Sequence, residues 1–381
     1  MLRMPRLLGL LLAFSLVTLP PSPSAATAHG SAAARASESA IDHSIIPALS
    51  PTIAQEVGQR LMVGMSGTTP TAALLGRIRR GEVGGVILFG SNVRMAIQVR
   101  ALTRKLQAAA TAGGQPRLLI STDQEGGLVR RLAWAAPVPG APAMGRDGRT
   151  SYARSQGALA GRDLLAVGIN VDLAPVADVP ASTASFMYAQ GRTWSFSSAV
   201  TTRLANAFAD GLVSKGVAAT MKHFPGLGYA RLNTDLHSIQ ITATRAQLAA
   251  GEAPYVTAIA HGIPMIMLSN AVYTALDGSR AAGWSHTIGV TLLRHHLGFA
   301  GVTITDGLDG AARSRGLKLA TLAVRAMQAG TDMILVTGTE STSAGAYQAM
   351  LAAVKAGHVS SADLFASWQR IQALKSKFPG S

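Results

Sequence analysis

Three stretches of the chain set residues capable of chemistry at close spacing. Asp306 closes the run Gly301-Val302-Thr303-Ile304-Thr305 and is followed by Gly307-Leu308-Asp309, so a carboxylate stands where an apolar strand ends. A carboxylate in that position can attack an anomeric carbon, provided a second group protonates the departing oxygen. Asp309, one helical turn further on, reads as the cap of a following helix. Lys222-His223 ends Val217-Ala218-Ala219-Thr220-Met221 and opens Phe224-Pro225-Gly226-Leu227-Gly228. That places two donors to hydroxyl oxygens at the start of a sharply turning, glycine-rich loop. Asp123-Gln124-Glu125-Gly126-Gly127, with Arg130-Arg131 beyond, combines a carboxylate that accepts from vicinal hydroxyls with an arginine that donates in a fixed fork. An Asp and Arg so spaced can equally brace their own loop, and a lone histidine is more often a packed core residue. The lysine beside His223 and the strand-end position point to a site instead.

These groups need a scaffold that gathers strand ends on one face. Short apolar runs occur at 59–65, 85–89, 117–123, 169–178, 217–224, 265–272, 302–306 and 333–337, separated by longer Ala, Leu and Arg-rich stretches of helical period. Nearly uninterrupted apolar strands alternating with helices imply an α/β fold whose parallel sheet is covered on both sides. Eight of them imply a single (β/α)8 barrel of the TIM type, with irregular strand order or direction left open. A doubly wound dinucleotide-binding sheet would need a glycine fingerprint after an early strand, and none is present. In a barrel, Asp123, Asp178, Lys222-His223, Ser269-Asn270 and Asp306 all fall on the C-terminal rim, where active sites form. Residues 339–381 read as a last helical segment with a turn at His358-Val359-Ser360-Ser361.

Composition narrows the class. With 48% hydrophobic residues and 40 glycines the chain can bury a large core. The net charge of +15 is spread along the sequence, as at Arg77, Arg94, Arg149 and Arg203. Such a surface favours polyanions at low salt, but without a clustered basic helix or interleaved aromatics it specifies no nucleic-acid site. There is no cysteine, no HExxH and no EF-hand loop, so neither a metal nor a cofactor is expected. At the N-terminus, Arg3 and Arg6 precede an apolar run at 7–19 and small residues Ala26-Thr27-Ala28. This is a signal-peptide pattern over 1–28, followed by an Ala/Ser-rich spacer at 29–50 and the barrel at 51–381. The apolar run is short for a bilayer-spanning helix, so a secreted or wall-associated protein is expected, with no membrane contact beyond the leader.

The motifs also resemble a known family. DQEGG with its downstream arginine, GINVDLAPVADV at 168–179, KHFPGLG at 222–228, SNAVYTALDG at 269–278 and LGFAGVTITDGL at 297–308 look like successive signatures of glycoside hydrolase family 3, in the family's order, over about residues 53–338. The chain is most similar to the single-domain β-N-acetylhexosaminidase branch, which participates in cell-wall recycling. The resemblance implies that Asp123, Arg131, Lys222 and His223 hold the terminal sugar and that Asp306 is the nucleophile. Arg192 matches the arginine of the family's R-S-F segment, although the Asp-Pro that follows is replaced by Ser197-Ser198.

The acid/base loop departs from the family pattern. There, four residues after KHFPG(H/L)G, an Asp-Ser/Thr-His dyad supplies the proton; the ungapped match here places Asn233-Thr234-Asp235 at those positions. A loop two residues longer would restore the dyad spacing as Asp235 and His237, and the sequence alone leaves both alignments open. The expected function is a secreted retaining β-glycosidase acting on terminal β-N-acetylglucosaminides or related β-hexosides, with peptidoglycan fragments as a candidate substrate. The alternative is a sugar-binding homologue, weak or inactive for want of the dyad.

Overall fold

The computed structural model describes residues 51–380; the expected signal peptide and spacer lie outside the described residues. Each expected run contains a strand: β1 Leu61–Val63, β2 Gly85–Ile87, β3 Leu119–Thr122, β4 Val171–Asp172, β5 Ala218–Phe224, β6 Met265–Leu268, β7 Val302–Thr305 and β8 Ile334–Val336. They pair in parallel and in sequence order from β1 to β7, and β8 pairs with β1. Between β7 and β8, a bridge joins Ile304 to Met333, with Thr305 N donating to Met333 O at 3.0 Å and Met333 N to Thr303 O at 2.9 Å. The sheet is thus a nearly closed eight-stranded barrel of the TIM type, without the irregular order or direction that the sequence left open.

Strand alternation builds two cores. In β1, Leu61 and Val63 face the surrounding helices while Met62 faces the barrel interior. Inside, Met62, Ile87, Leu119, Met265, Met267 and Ile304 fill the lumen, and Ile371, Leu374 and Phe378 plug its lower end. The plug comes from the helix Ser361–Lys377 and the residue after it. Each fully buried side chain of this size contributes ~1.5–3 kcal/mol, so the plug is a substantial part of the fold.

β4 is shorter than its apolar run because Pro175 has no N–H to give to a ladder. The chain nevertheless continues alongside β5: Lys222 N donates to Pro175 O at 3.1 Å and Ala177 N to Lys222 O at 2.6 Å. This keeps Asp178 next to His223.

At the lower end, Asp332 is fully buried and accepts from Arg370 Nη2 at 2.8 Å, Ser367 Oγ at 2.8 Å and Thr303 N at 2.9 Å, and it also pairs with Arg294. Among the described residues no helix is long and apolar enough to cross a membrane.

Candidate active site

The C-terminal strand ends enclose a cavity of about 290 Å³. Its wall includes Asp123 after β3, Lys222 and His223 of β5, Asp306 after β7, and Arg131, Arg192 and Asp235 from loops. Seven of the eight residues singled out from the sequence therefore meet in one pocket. His237 is the exception, solvent-exposed and absent from the wall.

Lys222 is the electrostatic centre. Its buried ammonium lies 2.7 Å from Asp123 Oδ1 and 2.7 Å from Glu125 Oε1. Burial alone would lower its pKa, but the two carboxylates outweigh that and raise it, so Lys222 stays charged. Glu125 in turn holds Arg192 bidentately, at 2.9 Å from Nε and 2.7 Å from Nη2. Burial would raise the Glu125 carboxyl, yet Lys222 and Arg192 keep it well below the usual carboxylate range. Arg131 Nη2 lies 3.6 Å from Asp123 Oδ2, and its guanidinium sits over the Phe89 ring. Asp123 is thereby flanked by two cations while remaining open to the pocket.

His223 is oriented from behind. Asp178, fully buried, accepts from His223 Nδ1 at 2.8 Å and from Leu227 N at 2.7 Å. An ionised carboxylate can only accept, so Nδ1 carries the proton and Nε2 is the ring nitrogen left for the pocket. Asp178 also fixes the first turn of the 224–228 loop through the Leu227 amide.

Asp306 Oδ1 accepts from Gly307 N at 2.8 Å, and its own amide donates to Leu268 O at 2.9 Å, which anchors the residue to β6. Asp309 does not cap the helix Leu308–Ser314 as expected. Its Oδ2 instead accepts from Thr337 N at 2.6 Å and Thr337 Oγ1 at 3.0 Å, tying the first helical turn to the end of β8.

The 229–237 loop passes over this helix. Asn233 Oδ1 accepts from Asp235 N at 2.9 Å, and Asn233 O accepts from Leu236 N and His237 N, so the segment is a tight turn with Asp235 at its inner side. Asp235 is open to solvent at the pocket mouth. Crowding of its carboxyl by protein and the negative charge of Asp306 push its pKa up to about 7, against the opposing pull of His223, Arg192 and Arg313. Arg192 follows the 186–189 helix, and Ser197, where the family's Asp usually stands, caps the helix Ser198–Val213 by accepting from Val200 N at 3.4 Å.

Sequence reasoning gave no role to Glu125 or Arg313 and placed Asp178 on the rim without a partner. Glu125 lay within the quoted DQEGG motif and Asp178 at a strand end, so position was available, but their partners stand 45–97 residues away. Arg313 of the helix after Asp306 lines the mouth, and no motif marked it.

A TIM-type barrel with two carboxylates and a lysine-centred polar cluster at its C-terminal rim has the architecture of a glycoside hydrolase. The sequence model of the glycosyl hydrolase family 3 N terminal domain matches residues 52–374. An uncharacterized secreted glycosyl hydrolase of Arthroderma benhamiae is 37% identical, over 87% of this chain and 95% of the relative. The β-N-acetylhexosaminidase of Beutenbergia cavernae superposes with a TM-score of 0.79 at 32% identity, covering 86% of this chain and 99% of that one. A family 3 β-N-acetylglucosaminidase from a Paenibacillus species gives a TM-score of 0.84 at 33% identity, with 87% of this chain matching 63% of the other. The chain spans about the same share, 62%, of the β-hexosaminidase A of Pseudoalteromonas piscicida, at 32% identity. The chain belongs to glycosyl hydrolase family 3. It is a glycoside hydrolase, and its relatives include proteins named β-hexosaminidase.

Proposed function

We propose that the protein is an exported retaining β-glycosidase that removes a terminal β-linked N-acetylglucosamine or a closely related β-hexosamine. The observation that carries this reading is the pair Asp306 and Asp235 on one pocket, where crowding by protein and then the charge of Asp306 raise the proton affinity of Asp235. In the first step Asp306 attacks the anomeric carbon, the glycosidic C–O bond breaks, and the Asp235 carboxyl gives its proton to the departing oxygen. A covalent glycosyl ester on Asp306 results. Its formation removes the Asp306 charge, so the Asp235 carboxyl becomes more acidic and takes the role of base. It then accepts a proton from the water that releases the sugar.

Asp123, Lys222, His223, Arg131 and Arg192 bind the sugar hydroxyls and substituents, with Lys222 and Arg192 held by Glu125 and His223 by Asp178. A cavity of about 290 Å³ stands at the small end of the ~300–1,000 Å³ typical of ligand sites, a size that suits one terminal sugar. Asp235, rather than an Asp–His dyad, supplies the proton, because Asp235 lines the pocket and His237 does not. The leader-like N-terminus supports export, and peptidoglycan-derived glycans are then the accessible substrate.

The deciding experiment is hydrolysis of an activated aryl β-N-acetylglucosaminide by wild type and Asp306→Asn. The reading requires turnover by wild type and loss of nearly all of it in the variant. No turnover by wild type would leave a sugar-binding homologue; equal turnover in both would remove Asp306 as nucleophile.

A further inference from the structure

A second cavity, of about 430 Å³, opens at the opposite end of the barrel, between the helix Ala96–Ala112 and the turn at 166–168. It is lined by Arg100, Thr103, Arg104, Gln107 and Arg117, with Ala166 and Gly168, and by no acidic residue. Arg117 precedes β3 and Gly168 precedes β4, so the cavity lies at the N-terminal strand ends, away from Asp306.

Its construction favours a ligand. The helix Ala96–Ala112 carries Arg100, Arg104 and Lys105 and not one Asp or Glu in 17 residues. Arg100 and Arg104 stand four apart, where like charges destabilise a helix, and a bound anion would relieve that repulsion. Arg100 is fixed, Nε and Nη2 donating to Ala166 O at 2.9 and 2.6 Å. Thr103 Oγ1 donates to Val167 O at 2.8 Å, and Gln107 exchanges bonds with the Leu118 backbone at 3.1 and 3.0 Å. The neutral donors are already used within the protein. Positive charge is what the lining offers a ligand, and Arg104 makes no hydrogen bond or ion pair among the described residues.

Guanidinium forks match the oxygens of a phosphate diester in bidentate fashion. The cavity is larger than a single ion needs, and no aromatic ring lines it on which a base could stack, which separates it from single-stranded nucleic-acid sites. We propose that this cavity binds a base-free phosphodiester polymer of the poly(alditol phosphate) type, holding the enzyme on a phosphate-rich matrix while the sugar pocket at the other end stays open.

The test titrates fluorescent poly(glycerol phosphate), and separately poly(dT), into wild type, Arg104→Glu/Arg117→Glu and the equal-charge control Arg146→Glu/Arg325→Glu, at fixed low salt. Thermal melting verifies that each is folded, and Arg104→Gln/Arg117→Gln replaces the reversal pair if that fails to fold. The expected result is at least a tenfold loss of poly(glycerol phosphate) affinity in the Arg104/Arg117 variant and a small change in the control. Equal losses in the two doubles would assign the binding to diffuse net charge and overturn the proposal. So would absence of poly(glycerol phosphate) binding by wild type, or tighter binding of poly(dT).

Discussion

The backbone of Asp235 rests directly on Gly310: a methyl group built on that glycine would lie 2.5 Å from the Asp235 carbonyl oxygen and 2.8 Å from its Cα and Cβ. Gly310 belongs to the helix Leu308–Ser314 that begins immediately after Asp306, so the glycine sets the distance between the proposed acid and the proposed nucleophile. Gly310→Ala must lift the loop, since the contact is backbone against backbone. Misplacement of about 1 Å costs on the order of 10²-fold, and kcat on a disaccharide is expected to fall by that order with KM little changed. Steady-state kinetics check it; an unchanged kcat would mean that the loop does not carry a reacting group.

The two alignments of the loop separate in a pair of variants. Asp235→Ala is expected to lose about 10²–10⁴-fold on a natural disaccharide and far less on an activated aryl glycoside, whose leaving group needs little protonation. His237→Ala is expected to stay close to wild type on both, because His237 is outside the pocket. The reverse ranking would restore the dyad.

A carboxyl whose pKa is pushed up to about 7 by crowding and by Asp306 is protonated below that pH and charged above it. An acid must be protonated in the free enzyme, so kcat/KM on disaccharide is expected to fall tenfold per pH unit above about 7. In Asp306→Asn the charge disappears, and the Asp235 pKa is expected to move down, as read by carboxyl-carbon NMR. An upward or absent shift would show that the two carboxyls do not sense each other.

The barrel was legible because the strands are apolar runs, five of the eight ending in a polar group, and residues such as Asp123, Lys222 and Asp306 near strand ends reach the rim in any regular (β/α)8 fold. The loop was not, because spacing alone does not say which way a backbone turns. Asp235 points inward owing to the Asn233 side chain and the flat surface at Gly310, and neither is a motif. Asp309 was misread for a related reason. Its position in a first helical turn fits a cap, whereas its partner Thr337 is 28 residues away, just past the end of β8. Glu125 and Asp178 are braces whose importance lies wholly in such distant partners.

The effect of Asp178 on turnover is expected to run through His223, since an Asn at 178 keeps an oxygen that can still accept from Leu227 N. Asp178→Asn replaces an acceptor by an amide that can turn a donor toward Nδ1, which removes a charge-assisted hydrogen bond and releases the imidazole from one tautomer. Such a bond contributes ~1.5–3 kcal/mol, equivalent to about 10–150-fold in kcat/KM. In a His223→Ala background the same substitution is expected to cost little further, the non-additivity that marks two groups working as one. Additive losses would place Asp178 in a separate role, such as holding the Leu227 turn.

Stability depends on a different carboxylate. Asp332, fully buried, would have its pKa raised by burial, but Arg294 and Arg370 overcome this and hold it below its ordinary value. A depressed carboxyl pKa contributes stability that is complete above the unfolded value of about 3.9 and is lost as pH falls through the folded one. Asp332→Ala leaves two arginines facing a void at the base of the barrel. Breaking a buried pair costs ~3–5 kcal/mol, and the lower end is expected because Arg370 keeps 28% of its side-chain surface exposed. Urea unfolding at neutral pH measures the loss, and repetition at acid pH should narrow the gap between variant and wild type. A gap that stays constant down to pH values well below about 3.9 would mean that the network contributes packing and not charge. Because this cluster lies opposite the sugar pocket, the folded fraction of the variant is expected to retain wild-type KM.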